Sequence, residues 1–134
     1  MDPLECAAAA RVWLRKAESD LATARLLVDG SERHLDTGTY HCQQCAEKSL
    51  KAWLCANGVT FTKTHELERL IDLCLPLDVS FEALRADAEE LTPLATEFRY
   101  PGDMFEPPIE EARAALKKAD GIFLFVAAKL ESRA

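Results

Sequence analysis

AAAARVWLRKAESDLATARLLV, residues 7–28, decides the fold of this chain. Ala7, Ala10, Leu14, Ala17, Leu21, Ala24 and Val28 recur at alternating steps of three and four. That period is the buried seam of a helix in a bundle. Its alanines leave room for a neighbouring helix to come close. The start is well marked. Asp2 is placed to cap, Pro3 takes the first helical position, and Glu5 completes something close to a capping box. Gly30 and Ser31 end the helix, and residues 31–39 read as a polar loop.

The same periodicity returns at the other end of the chain. Ile109, Ala112, Leu116, Ala119, Phe123, Val126 and Leu130 form a second seam. It opens after Pro107-Pro108, with Glu110 and Glu111 in the first turn, where acids favour the helix dipole. Between the two seams, a second helix is predicted over residues 39–56, stopped by Asn57-Gly58. A short helix over 65–74 follows, capped by Thr64, with Leu67, Leu70, Ile71 and Cys74 inward. Ser80 is read as the cap of a further piece carrying Phe81, Leu84, Ala88 and Leu91. Pro93 either kinks that piece, or Thr92 caps a new turn ending near Phe98. No strand-like alternation competes. The expectation is an all-α, up-and-down antiparallel bundle of five helices, three long and two short, in one domain over 1–134.

Composition narrows the function classes. The chain has 134 residues, nearly half of them hydrophobic, enough for one packed core. The 23 acidic residues outnumber the 16 basic ones, for a net charge of −7. That balance gives no general attraction to nucleic acid or anionic membranes, so any such contact needs a local basic patch. No apolar run approaches the roughly 20 residues of a membrane span. The first residues lack the basic start of a secretory signal. Five cysteines, an odd count set in helical patterns, fit reduced thiols in a cytoplasm.

The chemistry concentrates in YHCQQCAEKSLK, residues 40–51. Cys42, Ala46, Ser49 and Trp53 make one face of the helix. Gln44, Glu47, Lys48 and Lys51 gather on the other, each within a turn of the next. Cys42-x-x-Cys45 resembles a redox or metal motif. Redox chemistry of that kind needs a helix N-terminus in a strand-bearing fold. A zinc site needs two further ligands; His41 and Cys45 supply at most half. Packing of small side chains is the better reading. Glu47 and Lys51 by themselves read as a solvated i,i+4 bridge. His65, after Thr64, reads as a packing or capping residue. In Arg99-Tyr100-Pro101, the proline holds Tyr100 extended. Arg99 suits phosphate or carboxylate, with an ion pair to a nearby acid as the plainer alternative.

As a set, YHCQQCAEKSLKAWL, Gly58, KTHEL (63–67) and FRYP (98–101) resemble the HEPN domain family. The resemblance runs from about Lys16 to about Lys129. It implies a five-helix bundle, pairing as a homodimer and partnered by a minimal nucleotidyltransferase in a two-component, toxin–antitoxin-like module. It implies nucleotide or RNA phosphate as ligand, no cofactor and no metal. Carried over by position, the ligand-binding residues are Gln44, Glu47, Lys48, Lys51, His65, Arg99 and Tyr100. Lys48, Lys51 and Arg99 would neutralise phosphate, Tyr100 would stack, and Gln44 or Glu47 would read a sugar or base. The chain departs from the family's ribonuclease members, which follow an Arg by a His four to six residues later. Here YPGDMFE follows Arg99, and no His occurs after His65. Cleavage needs one group to move a proton and one to stabilise the charged phosphate. Arg99 fits only the second role. A non-catalytic binding partner is therefore the expectation, with a divergent metal-independent ribonuclease and a purely structural assembly module as alternatives.

Overall fold

The computed structural model describes residues 1–96 and 106–133. Its helices are α1 (Pro3–Asp29), α2 (Leu35–Ala56), α3 (Leu67–Cys74), α4 (Arg85–Leu91) and α5 (Ile109–Glu131). Short 3-10 segments, Val79–Leu84 and Thr92–Ala95, flank α4. Among the described residues there is no strand, as the sequence leads one to expect. No described helix is long and apolar enough to cross a membrane.

The Asp2 cap and the Pro3 start of α1 are as expected, without the return bond from Glu5 that would complete a capping box. Asp2 Oδ1 accepts from the Glu5 N–H at 2.8 Å, and Pro3 opens the helix. α2 begins four residues earlier than its pattern predicts. Its N-cap, His34, makes no side-chain cap, so nothing local announces the start. At its far end Gly58 adopts φ +67°, the left-handed region open to glycine. The Val59 N–H then returns to the Leu54 carbonyl at 2.9 Å. α3 starts at Leu67, which leaves His65 in the connector; Thr64 Oγ1 accepts from the Glu66 N–H at 3.1 Å. Asp78, and not Ser80, caps the next piece by accepting from the Ser80 N–H, and its first six residues wind as 3-10 helix. Thr92 and Pro93 open the second 3-10 segment; its expected end near Phe98 lies outside the described residues.

Fourteen of the 22 residues of α2 are buried, more than one face of a helix provides. α2 is the centre of the bundle, in contact with α1, α3, α4 and α5. α1 crosses it closely: a β-carbon on Gly38 would stand 2.8 Å from Val28 Cγ2. Ion pairs Arg25–Asp120 and Arg113–Asp29, at 2.7 and 2.9 Å, fix α1 antiparallel to α5. Leu21, Leu50, Leu54, Leu70, Ile71, Phe81, Leu91 and Ile122 make the core. On α5, Ala115 and Ile122 join the seam fully, while Leu116 packs at its edge. The connector after Gly58 runs back beside α2. Phe61 reaches the level of Lys51, and His65 the level of Glu47 and Gln43.

Candidate functional site

The polar stripe of α2 is an interior feature. Glu47 and Lys51 are buried, and Lys51 Nζ donates to Glu47 Oε2 at 2.8 Å. The pair is therefore not the solvated bridge that its spacing suggests. Trp13 and Phe61, edge to face at 6.2 Å, enclose the Lys51 ammonium, which lies 5.4 and 5.5 Å from their ring centroids. Aromatic faces attract a desolvated cation. The other carboxylate oxygen, Glu47 Oε1, accepts from His65 Nδ1 at 2.8 Å and from Gln43 Nε2 at 3.3 Å. Gln43 Nε2 also donates to the His65 carbonyl at 3.0 Å, and Gln44 Nε2 donates to Gln43 Oε1 at 2.8 Å. One carboxylate thus organises a lysine, a histidine and two glutamines.

The charge state follows. Burial pushes the Glu47 carboxyl up, but the bonds from Lys51 and His65 outweigh it and hold the group below the ordinary glutamate value. His65 differs from its partners in exposure. Its side chain is 64% exposed, against 6% for Glu47. The carboxylate fixes Nδ1 as the donor, so Nε2 is the ring nitrogen left to face a ligand.

A second carboxylate repeats the arrangement on the neighbouring side of α2. Asp20, on α1, lies 2.7 Å from His41 Nδ1 through Oδ1 and 2.6 Å from Lys48 Nζ through Oδ2. Tyr40 packs edge-on to His41, with ring centroids 5.4 Å apart. Glu47 holds Lys51 and His65; Asp20 holds Lys48 and His41. The predicted residues therefore fall into two groups: Gln44, Glu47, Lys51 and His65 meet in one network, and Lys48 belongs to the other. Arg99 and Tyr100 lie outside the described residues. Sequence reasoning missed Asp20, Gln43, Trp13 and Phe61 as partners, and saw His41 only as half a metal site. Two signals were available. Gln43 stands one turn before Glu47, and Asp20 interrupts the seam of Ala17, Leu21 and Ala24.

The cysteines belong to the packing. Cys42 and Cys45 are fully buried; burial pushes the Cys42 thiol up to about 12, and Cys45 upward as well. None of the five cysteines is in a disulfide, and among the described residues no three His, Cys, Asp or Glu side chains converge as a metal site. With a thiol reagent at pH 8, partly exposed Cys55 is expected to react first, and Cys42 and Cys45 only as the protein unfolds. A Cys42–Cys45 disulfide formed rapidly in the native state would overturn this reading.

The sequence model of the HEPN domain matches residues 10–130. This chain belongs to the HEPN domain family. Two solved structures agree with the fold. TT1696 from Thermus thermophilus superposes with a TM-score of 0.75 at 30% identity, over 90% of this chain and 97% of that one. ST0689, described as an archaeal HEPN homologue, superposes with a TM-score of 0.69 at 24% identity, over the same shares of the two chains. "Putative toxin MJ1304" of Methanocaldococcus jannaschii is 39% identical over 54 residues. That match covers 40% of the present HEPN chain and 34% of the relative, about a third of its length.

Proposed function

We propose that this HEPN protein binds a nucleotide or RNA phosphate on the α2 face, as one component of a two-component module with a minimal nucleotidyltransferase. The observation that carries the reading is the paired arrangement on α2: two carboxylates, each holding one lysine and one histidine. Desolvating such groups is costly, and clusters of this kind concentrate at functional sites. Lys48, three-quarters buried and donating one of its three N–H groups to Asp20, keeps two donors for phosphate. His65 presents Nε2 outward, and Gln44 lies between the two clusters along the helix. Lys51 acts from beneath, holding Glu47 in place. Arg99 and Tyr100 supply the remaining cation and stacking face in this reading. The likeness to a protein named a toxin supports the two-component setting, and the protein pairs as a homodimer there.

Isothermal titration with ATP, GTP, CTP and a short RNA tests the site. Binding by the parent, weakened about ten-fold or more in Lys48→Ala and Arg99→Ala, is the expected result, on the order of one charge-assisted contact each. No binding of any of these by the parent would sink the proposal.

One observation favours a second reading, ribonuclease activity. An imidazole oriented by a buried carboxylate and open to solvent is equipped to move a proton. That reading requires RNA cleavage by the pure protein in EDTA, lost in both His65→Ala and Arg99→Ala.

A further inference from the structure

A groove that shares Trp13 with the Glu47 network opens along α1. It has a volume of about 540 Å³ and is lined by Ala9, Val12, Trp13, Lys16 and Lys48. No acidic side chain lines it, although the chain carries a net charge of −7. Its two kinds of wall are distinct. Trp13, partly exposed, makes an apolar wall with Val12 and Ala9. Lys16 is exposed and has no ion pair with any described residue. Arg25, Lys51, Arg113 and Lys129, by contrast, are held by carboxylates. Lys48 belongs to this groove and to the Asp20 cluster at once, so the groove continues into the α2 face.

A planar ring joined to a negative charge fits such walls. Single-stranded nucleic acid is bound in this way, with bases stacked on aromatic side chains and cations following the backbone. The α2 stripe from His41 to Lys51 already extends about 15 Å at the helical rise, and the groove lengthens the surface beyond one nucleotide.

We infer that Trp13 and Lys16 form a second nucleotide subsite, joined to the α2 face through Lys48. The ligand is then a single-stranded oligonucleotide, and a mononucleotide fills only part of the surface. The inference rests on phosphate binding at the α2 face as proposed above. Stacking on one indole is tolerant of base identity, so the subsite discriminates single strands from duplexes more than one sequence from another. In a duplex both faces of each base are already stacked.

The test compares AMP, a 2′-O-methyl RNA hexamer, which resists cleavage, and a hairpin duplex. Each is titrated onto the parent, Lys16→Glu and Trp13→Phe. Lys16 is exposed and unpaired, so its substitution should leave the circular dichroism and melting temperature unchanged. The hexamer should bind the parent about ten-fold or more tighter than AMP. Lys16→Glu should weaken the hexamer by a similar factor and lower its salt slope by about one or more, with AMP binding unaltered. Trp13→Phe should weaken the hexamer to a smaller extent. Equal affinity for hexamer and AMP, or no effect of Lys16→Glu, would overturn the second subsite and leave the α2 phosphate site standing. Failure of both ligands to bind would overturn the two together.

Discussion

Glu47→Ala is expected to destabilise the protein by about 3–5 kcal/mol, the cost of leaving a buried charge without its partner. The Lys51 side chain is 7% exposed, and its ammonium has Glu47 Oε2 as its one carboxylate contact among the described residues. Removing that acid leaves the cation with the rings of Trp13 and Phe61 alone. These soften the loss without neutralising the charge. The substitution also releases His65 Nδ1 and Gln43 Nε2 from their shared acceptor. Urea unfolding checks the figure. The double variant Glu47→Met with Lys51→Met supplies the control, because buried pairs replaced by apolar groups of similar size are near neutral. It should regain most of the stability that Glu47→Ala loses. A loss below about 1 kcal/mol in Glu47→Ala would place the pair among ordinary surface bridges.

The pH dependence has a definite sign. The folded protein holds Glu47 below its ordinary value of 4.5, so the carboxylate stabilises the fold above that value. The contribution is lost as pH falls from about 4.5 through the depressed value. Glu47→Gln cannot titrate, so its stability should fall less steeply over that range than the parent's.

Phe81→Ala should have a loss of similar size, about 3–5 kcal/mol, by a different route. Phe81 is fully buried in the 3-10 segment before α4. Its ring lies 5.2 Å from that of Trp53 and meets Phe125 edge to face at 5.1 Å. Truncation removes apolar contact from α2 and α5 together and leaves a cavity between them. Domains of this size hold only about 5–15 kcal/mol in total, so a substantial unfolded fraction is expected on warming. Phe81→Leu fills part of the space and should fall between the two. A melting temperature for Phe81→Ala within about two degrees of the parent's would show that the helices close over the gap.

These residues also show where the sequence was readable. The seams of α1 and α5 follow from periodicity alone, because each long helix buries one stripe against the bundle. α2 obeys another rule. It is wrapped by neighbours, so its polar stripe carries the pattern of a solvated face while lying under Trp13 and Phe61. Those covers come from distant parts of the chain, and no local period announces them. The start of α2 was missed because His34 is not a capping side chain there. Gln44, Lys51 and His65, which join Glu47 in one network, were named through the family resemblance; Gln43 and, in the second cluster, Asp20 carried local signals that only the packing makes decisive.

The segment between Gly58 and α3 has one more consequence. It is not helical, and two of its ties to the bundle run through the charge network: Phe61 against Lys51, and His65 on Glu47. Its local opening is thermodynamically coupled to the state of that network. The protection of the amides around residues 59–66 against hydrogen exchange, corrected for the intrinsic pH dependence of exchange, is thus a native-state gauge of the Glu47 cluster, expected to fall as acid pH protonates Glu47 and before the bundle melts.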